Sequence, residues 1–223
     1  MRTTQISAAL LVLLAWPGTS AAQEKLTTVT AFVGFYLPTA DLVNNQAVPN
    51  PGPIDPDAIS ITQKSRFAWG VRGSRTLSTG VWLEVEFQYA RSDVEATGTR
   101  REPLPEPTQT GSGRVLTLGA NVLWEFYRAP FTPLGIHLLG GVAGVKRSGE
   151  FFDEGVFNLE FDGGTHVALI AGLGFRYGFS RRLGIRVDVR DYISRYTQSL
   201  ASGDLEAELQ NDIWITGGIE LTI

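Results

Sequence analysis

The side chains with the most chemical reach in this sequence are two histidines and a set of charges that recur at every second position. Imidazole is the usual general base or metal ligand near neutral pH. His137 and His166 stand twenty-nine residues apart, and no Cys is present to add a thiolate ligand. No nucleophile elbow, phosphate-cradling glycine loop or zinc spacing accompanies them. An acidic and aromatic stretch from Ser148 to Gly164 holds Glu150, Asp153, Glu154, Glu160 and Asp162 with Phe151, Phe152, Phe157 and Phe161. It lacks the spaced ligands of a calcium loop and is expected to continue a hairpin as a solvated ribbon, with adhesion as its functional option. The residues therefore predict no enzyme, no cofactor and no metal site.

The alternating charges suit pairing instead. Arg66, Arg72, Arg176, Arg186 and Arg190 share a face with Glu84, Glu86, Glu125, Asp188 and Glu220, and His137 joins them. The elements that carry them have a period of two. From Val81 to Tyr89 the odd positions are Val81, Leu83, Val85, Phe87 and Tyr89, and the even ones are Trp82, Glu84, Glu86 and Gln88. Leu183–Val189 and Ile213–Ile223 repeat the design. Half-buried strands produce such sets; helices do not.

Eight strands follow: Thr28–Leu37, Ser65–Thr76, Val81–Ser92, Arg114–Arg128, Leu134–Arg147, Thr165–Phe179, Leu183–Tyr196 and Gln210–Ile223. Their connections have 27, 4, 21, 5, 17, 3 and 13 residues, so long and short alternate. An up-and-down meander then gathers every long loop at one end and every tight turn at the other. Proline cannot donate to a sheet ladder, and all prolines after the leader fall in these connections. The first two long loops, around Pro49–Pro53 and Pro103–Pro107, read as extended and solvated.

Ahead of the strands, Met1-Arg2 precedes an apolar run from Ile6 to Trp16, a Pro17-Gly18 break and the small residues Ser20-Ala21-Ala22. This predicts a secretory signal peptide over residues 1–22 and one domain over 23–223. With 43% hydrophobic and 19% charged residues the chain is not disordered. A net charge of −4 without a basic cluster argues against nucleic acid as a partner.

Alternation leaves open which face points outward. Loop asymmetry favours a membrane barrel with its apolar face in lipid. So do the two groups of aromatics, Phe126, Phe175, Tyr177 and Phe179 near the turns and Phe35, Phe67, Trp69, Phe87 and Tyr89 near the loops. The charged face then lines a lumen that eight strands leave just wide enough for side chains to fill. The turns place Arg72 opposite Glu86, Glu125 opposite His137 and Arg176 opposite Arg186, so an acid such as Asp188 must separate the last two. Asp191 falls on the lipid face and is expected at the rim.

Taken together, the eight-strand meander, the Val187–Tyr192 segment and the ending Thr216–Ile223 resemble the small OmpA/OmpX-type outer-membrane β-barrel family. The resemblance implies an all-β, eight-stranded antiparallel up-and-down transmembrane barrel, reached through the secretory pathway and located in the bacterial outer membrane. It implies an assembly signal at Gly218, Ile219, Leu221 and Ile223, though the family usually ends in Phe. Implied partners are outer-membrane lipids and lipopolysaccharide, the barrel-assembly machinery and periplasmic chaperones. Lipid A deacylases use a His and a Ser two residues apart, whereas Leu139 and Ala168 follow the histidines here. The expected role is structural or adhesive through the long loops. The alternatives are a narrow conduit for small apolar solutes of the OmpW type, for which inward Leu123, Leu139 and Ile170 speak, then a lipid-modifying enzyme or a soluble lipocalin-like barrel.

Overall fold

A computed structural model describes residues 26–48, 56–99, 107–154, 164–196, 199–200, 203–204 and 208–223. The segment expected to be a signal peptide and the tips at Pro49–Pro53 and at 103–105 lie outside the described residues. The strands are β1 (Thr27–Pro38), β2 (Val43–Ala47), β3 (Ala58–Gln63), β4 (Arg66–Ser78), β5 (Val81–Thr99), β6 (Thr108–Arg128), β7 (Leu134–Ser148), β8 (Thr165–Gly178), β9 (Leu183–Tyr196), β10 (Ser199–Leu200), β11 (Gly203–Asp204) and β12 (Glu208–Thr222). A single short helix among the described residues, α1, spans Glu150–Glu154.

Eight of these strands close a ring in the order β5-β4-β1-β12-β9-β8-β7-β6, with β6 pairing back to β5. All pairings are antiparallel, and the β1–β12 seam runs from Thr28↔Thr222 to Pro38↔Asp212. Closure matters because lipid offers no partner to an unpaired strand edge. Pro38, which lies within a strand rather than a connection, is the last residue of β1 and leaves no central ladder bond unmade. The β4–β5 turn is tight, and Gly80 supplies its left-handed backbone at φ 74°. The β8–β9 turn is held by Ser180 Oγ, which accepts from the backbone N–H groups of Arg182 and Leu183.

On the outward face the apolar band matches a bilayer. Along β5 it runs from Val81 to Tyr89, nine residues, within the roughly 9–11 that a tilted spanning strand needs. Phe126, Phe175, Tyr177 and Phe179 are exposed near the turns, and Phe35, Phe67 and Trp69 near the loops. Aromatic contacts tie these belts, as between Trp69 and Phe87 or Tyr177 and Phe179.

Two expectations about the loops are corrected. The first long loop is not simply extended and solvated: β2 and β3 pair with each other and β3 pairs with the top of β5, from Ala58↔Thr99 to Gln63↔Val94. The Ser148–Gly164 stretch does not begin as a solvated ribbon either. Its first residues fold into α1, which buries Phe151 and Phe152, while residues 155–163, with Phe157, Glu160, Phe161 and Asp162, lie outside the described residues. Together Leu42, Val43, Val48, Ile59, Ile61, Val94, Ala96, Phe151 and Phe152 form an apolar core beyond the membrane band. Burial of the eight larger of these side chains, each worth about 1.5–3 kcal/mol when fully removed from water, is what holds these segments over the rim.

Candidate functional site

The lumen is built in layers by residues of the inward parity. At its centre lie three arginines, Arg72 of β4 and Arg186 and Arg190 of β9, and three carboxylates, Glu84 and Glu86 of β5 and Asp188 of β9, all buried. Arg72 donates to Glu86 at 3.2 Å, to Asp188 at 2.7 Å and to Thr216 at 3.0 Å. Arg186 donates to Glu84 at 2.5 Å and to Asp188 at 3.0 Å. Arg190 reaches Glu84 at 2.8 Å and also Glu86. The charges balance one for one, which is the condition for keeping them ionised away from water.

Neutral groups complete this layer. Asp188 can only accept when ionised, so His137 presents its Nε2–H to it at 3.0 Å. The Tyr192 hydroxyl donates to Glu86 and accepts from Gln88. Arg72 also stacks over Phe32, 3.8 Å from the ring centroid. Strands β5 and β9 lie four positions apart in either direction round the ring. They are opposite walls, and their side chains bond directly across the lumen.

Above this layer sits an apolar collar that includes Tyr36, Ala90, Val115 and Trp214, whereas Leu123 is the register partner of Trp82 towards the turn end, and Leu139 and Ile170 lie beside Arg190 and Glu86. Over the collar, Arg147 pairs with Asp212 at 2.5 Å, and the Tyr36 hydroxyl donates to Asp212 at 2.8 Å with Gln63 alongside at 2.9 Å. Below it, a vestibule of about 650 Å³ opens at the turn end, lined in part by Trp82, Glu125, Arg128, Arg176 and Glu220. There Arg176 pairs with Glu220 at 2.9 Å and lies over Trp82, while Glu125 accepts from Arg128 at 2.7 Å.

The three sequence-predicted registers are present: Arg72↔Glu86, Glu125↔His137 and Arg176↔Arg186. In the last, Arg186 turns to Glu84 and Asp188, and Arg176 turns to Glu220. Glu125 and His137 oppose each other without bonding, since each has a partner of its own. Arg66 does not belong to the lumen. It opens β4, where inward packing has not begun, and its exposed side chain pairs with Asp93. The Arg147–Asp212–Gln63 layer was missed, although the parity of β7 and β12 points the first two inward. Among the described residues no group of metal-ligating side chains comes together. Asp191 remains on the outward face with no bulge, but it lies within β9, paired with Ile213 on one side and Ala171 on the other, and not at a strand end as the rim expectation required.

A closed antiparallel ring, an outward apolar band and an ionic interior define a membrane barrel. The family model for the outer membrane protein beta-barrel domain matches residues 6–217. The chain belongs to that family. Solved structures with a similar fold include the outer membrane protein OprG from Pseudomonas aeruginosa, at 12% identity and a TM-score of 0.57, over 89% of this chain and 97% of that one. AlkL in lipid bilayers matches at 14% identity and 0.56, over 93% and 95%. Neisserial surface protein A matches at 8% and 0.52, over 92% and 100%. At such identities the likeness concerns fold alone. No curated protein matches the sequence.

As an outer-membrane barrel domain the chain sits in the bacterial outer membrane, with the short turns on the periplasmic side and the long loops outside. The vestibule thus faces the periplasm, and the β2–β3–α1 core faces the exterior. Ile219, Leu221 and Ile223 of the expected assembly signal point outward and are exposed, while Gly218 packs against β1 at the seam.

Proposed function

We propose that this outer-membrane barrel is a closed, non-conducting scaffold whose work is structural or adhesive and is done at its outer surface. The observation that carries this reading is the direct bonding of Arg186 and Arg190 on β9 to Glu84 and Glu86 on the opposite wall. A hydrated path would have to break several charge-assisted bonds at once, each stronger than a neutral one. The capped exterior adds a folded, presentable surface at the loop end. Its partners in this reading are the surrounding lipid and lipopolysaccharide, the assembly machinery and chaperones during insertion, and a contact at the outer loops. No catalytic step is assigned to it.

The second reading, a narrow conduit for small apolar solutes, draws on the inward apolar side chains of Leu123, Leu139 and Ile170. These side chains are buried, and Leu139 and Ile170 lie beside Arg190 and Glu86, so an apolar solute passing them would meet paired charges. The deciding experiment is recording from the purified, heat-modifiable protein in planar bilayers. Absence of discrete current steps is expected. Steady single-channel steps would overturn the closed lumen and favour the conduit.

A further inference from the structure

Two arginines face each other on the outside of the barrel wall. Arg91 of β5 and Arg114 of β6 are register partners, both exposed. One step further round, Lys146 of β7 is register partner of Leu116, which places it diagonally beside Arg114, and it too is exposed. Like charges placed directly opposite on adjacent strands destabilise the pair. Of the nearby acids, Asp93 pairs with Arg66 and Glu95 with Lys64, and Glu150, which lines the groove beside Arg91 and Arg114 and accepts from the Ser112 hydroxyl, leaves three cations facing one carboxylate. Arg114 donates to Ser148 at 3.1 Å, a neutral partner.

The height of this trio is informative. It stands one outward position above Tyr89 and Leu116, where the apolar band of these strands ends. Beneath it Trp69 packs on Tyr89 at 5.7 Å and on Phe87 at 6.0 Å. Grooves flank Arg91 on both sides, one of about 420 Å³ with Phe67, Trp69 and Tyr89, the other of about 310 Å³ with Arg114 and Gly149. Cations above an aromatic, lipid-facing groove match an amphiphile with an anionic head and apolar tails.

The geometry points to Arg91, Arg114 and Lys146 as a binding site for the phosphorylated headgroup of an outer-leaflet lipid. Its phosphate bridges the two guanidinium forks, and its acyl chains lie along Trp69, Phe87 and Tyr89. The site is independent of whether the lumen conducts.

The test is titration of the whole refolded barrel in detergent micelles with bisphosphorylated lipid A, read by native mass spectrometry. Wild type is expected to retain one lipid A. The R91Q/R114Q variant, still heat-modifiable on gels, is expected to bind about 30-fold more weakly, given the usual worth of each cation at an anionic surface. Dephosphorylated lipid A should bind wild type as weakly, and R181Q, at the periplasmic end, should match wild type. Equal retention by the folded double variant, or by lipid A without phosphates, would overturn the site. Displacement by millimolar inorganic phosphate would make it a free-anion site and sink the lipid assignment.

Discussion

Asp188 accepts from Arg72, Arg186 and His137 and lies 3.5 Å from Arg190. Changing it alone to Asn leaves three buried arginines with two carboxylates, and an unmatched buried charge costs about 3–5 kcal/mol. D188N should therefore unfold in urea with a free energy lower by about 3 kcal/mol, measured in micelles by tryptophan fluorescence. Removing one charge of each sign, as in R72M/E86M, should cost less than half as much. If D188N unfolds like wild type, the ionic layer is not a matched set. At this scale strict parity identified most of the lumen residues in the sequence, because a strand fixes each side chain to one face. It failed at Arg66, where the strand is only beginning and a local partner, Asp93, draws the side chain away. It also left Gln63 unseen, since β3 is outside the ring altogether.

The outer core joins β2, β3, the tops of β5 and β6, and α1. Phe151 and Phe152 contact each other at 5.3 Å and are its only aromatics among the described residues. Truncating a buried Phe to Ala costs about 3–5 kcal/mol, and here the loss falls on the cap, not on the hydrogen-bonded ring. F151A/F152A should expose the outer segments to added protease in intact cells while the band shift on boiling persists. Unchanged cleavage would show that the cap does not depend on α1. The eight ring strands were legible because alternation runs through nine or more residues in most of them. The cap was obscured by its setting: Ile59 and Ile61 alternate with Ser60 and Thr62, but over six residues beside a proline-rich tract. The helix defeated the strand reading since the acidic and aromatic residues of 150–154 carry no period long enough to tell the two apart.

The whole molecule exists only as a ring, and its seam is β1 against β12. A Cβ at Gly34 would collide with the backbone carbonyl of Ile215, and one at Gly218 with that of Ala31. G34V is therefore expected to abolish the compact, heat-modifiable band in favour of unfolded protein; a normal band at normal yield would mean that the seam tolerates wider spacing. The same ring divides its ionic layer unevenly along the chain. The β4–β5 hairpin brings one arginine and two glutamates, whereas β9 brings two arginines and one aspartate, about a hundred residues later. Neither wall is neutral until the other arrives. An arc of strands standing open in the bilayer would hold mismatched charge against hydrocarbon, so water must stay with it until the last edges meet. Shutting the ring and drying its interior are then a single event, and half-built barrels remain wet, leaky and reversible up to that moment.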